Sequence, residues 1–444
     1  MRYLILISTI LFATTTAKSQ DTATFIHTTG KVLEALRAGK YQEVVDLIDP
    51  EAKPRPDSSR IGSAWRNLQK SNGAFQGILD TTYQHQSTYD VVIFHCGFNT
   101  KKIDIKTVYG KNGLLKGVFF LPNSGRENYS LPFYCRTDSI EESAIEVVNG
   151  EIRLKGFLSV PRYQGKVPAI ILVHGSGPND KDESVGATKI FRDFACGFPG
   201  KGIAVLRYEK RTRAMASSLA RSKAIITPEE ETISDVVAAI TTVKSDPRID
   251  TTRIFLVAHS MGAFLTPKVL QRVSSVAGAV MLCPQARPLN QLLIEQSEYV
   301  VKNDTAATAE MKSILDSLKR ESAKVDGLKA ANRGDSVKVM GLHPAYWLYL
   351  RDYDAFTTAK SVKQPLLFIY GGRDYQVTSA DESVWKAKLK GRPNTDFKNY
   401  PDLNHFFITG TGKSNPQEYL KAGNVEKKLI DEASGWILSG GNSK

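Results

Sequence analysis

Ser260 is the residue best placed for nucleophilic chemistry, because it closely follows the apolar run Ile254–Ala258. Gly262 stands two positions further on. The small residues Ala258 and Gly262 allow a strand and a helix to approach closely at a sharp turn. The pattern is that of a nucleophile elbow, Gly-x-Ser-x-Gly, with Ala258 in place of the first glycine. Such a short match also arises by chance, so the assignment depends on partners elsewhere in the chain.

A serine hydroxyl is a weak nucleophile and needs a base that is oriented by an acid. After an elbow of this type the acid and then the histidine follow along the chain. His343 and His405 are the histidines that follow Ser260. His405 comes after a short strand and before the last predicted helix, where the base is expected. His343 falls in a helix-rich insertion, so the sequence predicts His405 as the base.

The acid is expected in the loop after the strand that precedes the histidine. Asp374 fits, because it follows the apolar run Phe368–Tyr370 and the pair Gly371–Gly372, which turns the chain sharply. Asp402 is the competing acid, although it would have to share the loop of His405. The predicted catalytic residues are therefore Ser260, Asp374 and His405.

Two backbone N–H groups are needed to stabilise the negative charge that develops on the attacked carbonyl oxygen. The amide of Met261, directly after the nucleophile, is one candidate. The other lies in the glycine-containing loop that follows the apolar strand Ile170–Val173. There the Ser176 amide is the predicted donor, and His174 is expected to brace the loop.

These residues require a scaffold of alternating strands and helices. Apolar strands that alternate with helices indicate a mostly parallel sheet covered on both faces. The predicted helices cover 188–199, 228–245, 261–274, 380–390 and 424–438. The predicted strands are a hairpin (Ile145–Val148 and Ile152–Val160) and then Pro168–Val173, Ile203–Tyr208, Ile254–Ala258, Ala277–Cys283 and Pro365–Tyr370.

Residues 284–364 form a polar, helix-rich insertion between two of these strands. The insertion is predicted to fold as a helical cap over the carboxyl edge of the sheet, where Ser260 and Asp374 lie. Its aromatic cluster includes Trp347 and Tyr349, which we interpret as the lining of a substrate pocket. The alternative is that these side chains only pack the cap onto the sheet.

The N-terminal third of the chain has a different organisation. Residues 1–19 combine a basic start, a short apolar run and small residues, which is typical of a signal peptide for export to the periplasm or the exterior. Residues 21–122 predict helices followed by antiparallel strands, a small α+β domain. Residues 123–143 are predicted to be a linker, and 144–440 the catalytic domain. No run is long enough to predict an integral membrane segment.

The composition excludes several other functions. The formal net charge of +13 is spread along the chain without a recognised nucleic-acid module, so a solvated basic surface is expected rather than nucleic-acid binding. Neither cysteine nor histidine is clustered as a zinc site requires, and no metal or cofactor is expected. Cys96 and Cys283 look like buried free thiols, and a Cys96–Cys135 disulfide is the alternative.

Taken together, the motifs resemble the α/β-hydrolase superfamily. Within it, three runs look like those of bacterial serine esterases that carry an N-terminal DUF3887-type domain: His174–Glu183, Phe191–Ala195 and Arg207–Thr212. Trp65, Gly73–Phe75 and Gly117–Pro122 are similar to that N-terminal domain. The resemblance implies a serine carboxylesterase that acts on short-chain acyl esters without a metal or cofactor. With the leader pattern, the expected function is an exported esterase that works through an acyl-enzyme.

Two other functions compete with the esterase. An acyl-peptidase or aminopeptidase of related fold usually carries an N-terminal propeller, for which the N-terminal region is too short. A non-catalytic binding protein on a hydrolase scaffold would be favoured by a broken triad. The expected partner is a small-molecule ester, with an acylated carbohydrate as one candidate. The sequence leaves the oligomeric state open.

Overall fold

The computed structural model describes residues 19–52, 56–86, 89–123, 129–162, 165–221, 224–303 and 309–442. The described residues form two compact units: 19–123 together with 216–221, and 129–215 together with 224–442. The predicted signal peptide lies outside the described residues apart from Ser19. Within these ranges, every helix is too short or too polar to cross a membrane.

The first unit packs three helices against an antiparallel sheet of order β1-β2-β3-β4. Trp65 is central to its core: it is 1% exposed and its ring lies against Phe98 and Phe120. The elements are α1 (Ser19–Arg37), α2 (Tyr41–Leu47), α3 (Ser58–Asn72), β1 (Phe75–Gln86), β2 (Tyr89–Phe98), β3 (Lys102–Gly110) and β4 (Leu115–Pro122).

An eight-stranded sheet of order β14-β13-β12-β11-β7-β10-β6-β5 forms the second unit. The antiparallel pair β5 and β6 lies at one edge, and the other six strands run parallel. Its strands are β5 (Ile140–Asn149), β6 (Ile152–Pro161), β7 (Val167–Val173), β10 (Ala204–Tyr208), β11 (Ile249–His259), β12 (Gly278–Leu282), β13 (Leu366–Gly371) and β14 (Thr395–Tyr400). The two-residue strands β8 (Ser184–Val185) and β9 (Thr188–Lys189) form a separate hairpin.

The central strands are apolar because helices cover both faces of the sheet. Every residue of β7, β10, β12 and β13 is buried, as expected for parallel strands between two helical layers. The helices of this unit are α4 (Ile190–Gly197), α5 (Arg211–Ala214), α7 (Ser234–Lys244), α8 (Met261–Arg272), α9 (Leu289–Asn303), α10 (Ala309–Asp326), α11 (Pro344–Asp352), α12 (Ala355–Ser361), α13 (Ser379–Lys388) and α14 (Lys427–Leu438). The short helix α6 (Ala216–Arg221) is grouped with the first unit.

The insertion between β12 and β13 is helical and contains α9 to α12. Two contacts place α9 above the loops at the carboxyl edge of the sheet. Gln296 Nε2 donates to Gln376 O at 3.1 Å, and the Tyr299 hydroxyl donates to Ser414 O at 2.8 Å. The insertion therefore lies over the edge that carries the loops after β13 and β14.

The cysteine pairing differs from the sequence-based alternative. The disulfide joins Cys135 to Cys196, and Cys96 and Cys283 are buried free thiols. A Cys96–Cys135 disulfide is therefore wrong. The physical reason is that Cys96 lies on β2 in the core of the first unit, fully buried among the residues of that core, whereas Cys135 meets α4 of the second unit.

Candidate active site

Ser260 lies at a sharp turn between β11 and α8, with φ 53° and ψ −120°. A positive φ is strained for a residue that carries a side chain. The Ser260 amide donates to Leu282 O at 2.8 Å, and the Phe264 amide donates to Ser260 O at 3.0 Å. A Cβ on Gly262 would lie 2.3 Å from His174 O, so only glycine lets α8 approach the loop after β7 this closely. Ser260 is partly exposed at the tip of this elbow.

Asp374 and His405 lie in the loops after β13 and β14 and form a hydrogen bond. His405 Nδ1 is 2.5 Å from Asp374 Oδ2, and both side chains are buried. The other carboxylate oxygen, Oδ1, accepts from the Gln376 amide at 2.6 Å and from the Val377 amide at 2.9 Å. The carboxylate is thereby held with Oδ2 towards the imidazole. Asp402, the competing acid, is exposed.

Asn404 shapes the loop that carries His405. Its side-chain oxygen accepts from the Phe406 amide at 3.0 Å and from the Ile408 amide at 3.1 Å. Its Nδ2 donates to Glu418 Oε2 at 3.1 Å. Asn404 is fully buried, so these bonds satisfy a side chain that would otherwise be costly to bury. They fix the backbone on both sides of the imidazole.

The predicted oxyanion loop is held by buried charges. Both backbone groups of Gly175 are engaged: the amide donates to Glu183 Oε1 at 2.8 Å, and the carbonyl accepts from Lys210 Nζ at 2.7 Å. The Ser176 amide, next along the loop, has no acceptor within the described residues. The Met261 amide is at the first position of α8, where helical N–H groups have no intrahelical acceptor.

His174 has the bracing position expected from its place in this loop. Its Nε2 lies 3.2 Å from Asp180 O, and its ring packs against Phe191 and Tyr208. Burial lowers the pKa of His174 to about 4. The ring is therefore neutral at physiological pH, and it packs as part of the core.

The cap reaches the elbow through Tyr346 of α11. Its hydroxyl donates to Glu231 Oε2 at 2.6 Å and lies 3.4 Å from Met261 Sδ. Glu231 in turn pairs with Lys210 at 3.2 Å, with both side chains buried. The buried carboxylate thus joins a cap helix to the lysine that holds Gly175.

The two predicted pocket residues occupy different environments. Trp347 is 4% exposed, packs with Val325 and Val339 in a small core of the cap, and donates from Nε1 to Val339 O at 2.8 Å. The Tyr349 hydroxyl donates to Glu229 Oε2 at 3.0 Å.

A cavity of about 460 Å³ lies between the cap and α8. Phe264 of α8, the segment 285–290 and Trp347 contribute to its lining, whereas Tyr349 and the three predicted catalytic residues do not. Since segment 285–290 follows the carboxyl end of β12, the cavity lies at the same edge of the sheet as the loops that carry Asp374 and His405.

Cys283 directly follows β12 and lies beside Asp374 and His405. Ligand-type atoms of Cys283, Asp374 and His405 lie within 4.8 Å of one another. Burial raises the pKa of the Cys283 thiol well above its usual range, and metal ligation requires the thiolate. Asp374 and His405 are already bonded to each other. The group therefore fits a hydrogen-bonded cluster better than a metal centre.

The sequence indicated no site role for Glu183, Lys210, Glu231 and His259, and it placed Tyr346 only within the aromatic cluster of the cap. A signal existed for His259, which ends an apolar strand next to the nucleophile: a polar side chain at a buried position needs a partner. Nothing in the sequence indicates which partner, because Glu183 is 76 residues away. The other contacts likewise join distant loops.

The fold and this site define an α/β hydrolase. A family model described as "Serine aminopeptidase, S33" matches residues 169–410, and the chain belongs to this family. A second model, described as a protein of unknown function (DUF3887), matches residues 30–118. The expected fold class is thus confirmed, as is the expected combination of a DUF3887-type domain with an α/β-hydrolase domain in one chain.

A relative that matches nearly the whole chain is an esterase. Esterase EstD of Thermotoga maritima is 35% identical over 407 residues, covering 91% of this chain and 93% of the relative. A thiohydrolase of Arthrinium phaeospermum is 30% identical over 137 residues, covering 31% of this chain and 41% of the relative. Among solved structures, Est1E from Butyrivibrio proteoclasticus aligns with a TM-score of 0.43 and 13% identity, over 67% of this chain and 99% of that chain. The protein is a hydrolase.

Proposed function

We propose that this protein is an exported serine carboxylesterase with Ser260 as nucleophile, His405 as general base and Asp374 as the orienting acid. The observation that carries the proposal is the hydrogen bond of 2.5 Å between His405 Nδ1 and Asp374 Oδ2. It fixes the tautomer with the proton on Nδ1, which leaves Nε2 to accept a proton from a serine hydroxyl. The strained elbow supplies that serine.

The reaction proceeds in two halves. Ser260 Oγ attacks the ester carbonyl while His405 Nε2 takes its proton, and the developing oxyanion accepts hydrogen bonds from the Met261 and Ser176 amides. The proton then passes to the leaving alcohol, and an acyl-enzyme remains. Water, deprotonated by the same imidazole, attacks the acyl carbonyl. The bond to Ser260 Oγ then breaks, the imidazolium returns the proton to Oγ, and the acid is released.

An ester substrate is favoured over a peptide by the relative that matches most of the chain, which is an esterase. The family description names an aminopeptidase, so peptidase activity is the second candidate. A small-molecule ester is the proposed substrate class, with Trp347 at the cap cavity as a candidate contact for its acyl part.

Export is supported by two independent features. The leader pattern of residues 1–19 is one. The Cys135–Cys196 disulfide is the other, because disulfides persist in oxidising compartments such as the periplasm.

Ser260→Ala tests the nucleophile. We expect loss of p-nitrophenyl ester hydrolysis by on the order of 10⁶ in kcat, as in other triad enzymes, and loss of covalent labelling by a fluorophosphonate probe. Ser274→Ala is the matched control, because Ser274 is an exposed serine just beyond the end of the same helix. Full activity or labelling in Ser260→Ala would refute the proposal.

Parallel assays of aminoacyl p-nitroanilides distinguish the two substrate classes. If kcat/KM for the anilides exceeds that for short-chain esters and also depends on Ser260, the protein is a peptidase and the carboxylesterase proposal fails in its substrate class. If only the esters turn over, the proposal stands.

A further inference from the structure

His259, directly before the nucleophile, has a partner on each ring nitrogen, and both partners are acceptors. Its Nδ1 lies 3.2 Å from Glu183 Oε1, and its Nε2 lies 3.1 Å from the carbonyl oxygen of His405. A carbonyl oxygen cannot donate, and an ionised carboxylate cannot donate either. Both bonds exist together only when both nitrogens carry protons, which makes the ring an imidazolium.

Glu183 Oε1 is also the acceptor for the oxyanion loop. It receives the Gly175 amide at 2.8 Å and lies 3.4 Å from Asn179 Nδ2. A Cβ on Gly175 would lie 2.9 Å from Glu183 Oε1 and 3.3 Å from Ser260 Cβ. The carboxylate thus holds the loop directly beside the nucleophile.

We propose that His259 and Glu183 are positioning residues: a buried imidazolium–carboxylate pair that ties the oxyanion loop, through Gly175, to the loop that carries His405. This inference rests on the proposed function, which assigns the base and the oxyanion donors. Neither side chain touches the substrate. The pair acts by fixing how far the Ser176 amide and the imidazole of His405 stand from Ser260.

The charges around His259 favour this state. Burial opposes the charged ring, but the charge and hydrogen bond of Glu183, the bond to His405 O and the charge of Asp374 together outweigh burial and raise the pKa of His259. Burial also opposes ionisation of Glu183, but His259, His174 and the Gly175 amide together outweigh burial and lower the pKa of Glu183. Asp374 adds a second negative charge nearby. The ring of His405 also faces His259, with its centroid 4.6 Å away.

The pair predicts a pH dependence with a defined sign. Because the pKa of His259 is raised, the double hydrogen bond is complete below that pKa and is lost as the pH rises through it. A neutral ring must abandon either Glu183 or His405 O. We therefore expect kcat to fall on the alkaline side of the profile, with a smaller change in KM, since the ground-state substrate does not depend on the oxyanion donors.

Glu183→Gln is the direct test, because it removes the charge and keeps the shape. We expect kcat for ester hydrolysis to fall roughly 10- to 100-fold, somewhat less than the loss of an oxyanion donor, and the alkaline limb to move to lower pH. His259→Gln should lower kcat and abolish that limb. Glu382→Gln is the matched control: Glu382 is a buried glutamate on α13 that pairs with Lys386 and Asn399, and its pH profile should equal that of the wild type.

Nitrogen-15 NMR of the wild-type imidazoles tests the same inference without a folding risk, with His259→Gln for assignment. Two protonated nitrogens on His259 at neutral pH support the proposal, and a single protonated nitrogen overturns it. Unchanged kcat and pH profile in Glu183→Gln also overturn it. Ser260→Ala distinguishes failure of the proposed function from failure of this inference. Full activity of Ser260→Ala refutes the proposed function. An inactive Ser260→Ala together with a fully active Glu183→Gln refutes only the positioning pair.

Discussion

Asp374→Asn gives the sharpest prediction, because the structure dictates how the new amide must sit. Oδ1 of Asp374 accepts from two backbone amides, those of Gln376 at 2.6 Å and Val377 at 2.9 Å. In the asparagine variant the carbonyl oxygen has to stay there, since an NH₂ group would face two donors. The NH₂ group is therefore turned to His405 Nδ1, where the carboxylate oxygen was.

The consequence is a change of tautomer at His405. An NH₂ donor facing Nδ1 requires an unprotonated Nδ1, so the proton moves to Nε2, and the imidazole can no longer accept a proton from Ser260. In a comparable triad this change costs on the order of 10⁴ in kcat, which is about 5 kcal/mol of transition-state stabilisation. The fold should change little, because the two backbone amides keep their acceptor.

The assay is steady-state hydrolysis of a p-nitrophenyl ester, with thermal unfolding to confirm the fold. Asp402→Asn is the matched control, since Asp402 is exposed and lies three residues before His405. Its kcat should stay close to the wild-type value. If Asp402→Asn loses more activity than Asp374→Asn, or if Asp374→Asn keeps more than about a tenth of its kcat, the assignment of the acid is wrong.

Three further predictions concern the cap, the disulfide and a buried carboxyl. Trp347→Ala should lower the free energy of unfolding by about 3–5 kcal/mol in urea denaturation. A changed preference between acetyl and octanoyl esters would show that Trp347 also lines the substrate pocket. Constant relative rates would show that Trp347 only packs the cap. Replacing Cys135 and Cys196 by serine should destabilise the protein by about 4 kcal/mol, because the bond closes a loop of 61 residues; an unchanged Tm would contradict this. Burial raises the pKa of Asp193 to about 7. Between roughly pH 4 and pH 7 the unfolded chain ionises this carboxyl and the folded protein does not, so the free energy of unfolding falls as the pH rises through that window. Asp193→Asn should flatten this pH dependence, and an unaltered slope would refute the assignment.

The part of the site that sequence predicted best is the part set by local pattern. The elbow follows from an apolar strand, a serine and the small residues at 258 and 262, all within one turn of chain. The order of acid and base follows from the order of strands in a parallel sheet, because the carboxyl ends of the strands meet at one edge. The structure brings Asp374 and His405 together as that order implies.

Contacts between distant loops could not be predicted in the same way. The partner of Cys135 is fixed by how α4 packs against the segment that enters the sheet, and spacing along the chain carries no such information. Trp347 and Tyr349 are adjacent in an aromatic cluster, yet one joins the core of the cap and the other reaches Glu229. Their separation depends on the face of α11 on which each lies.

Buried polar contacts connect the cap to the predicted oxyanion loop. Tyr346 donates to Glu231, Glu231 pairs with Lys210, and Lys210 holds the carbonyl of Gly175. Each member is buried, and removal of one would leave a buried charge or acceptor without its partner, which costs more than an exposed ion pair contributes. The positions of the cap and the oxyanion loop therefore depend on each other. A substitution at Tyr346 acts on Gly175 through two buried side chains, those of Glu231 and Lys210. We therefore expect it to change kcat, although Tyr346 is not among the residues that carry the reaction.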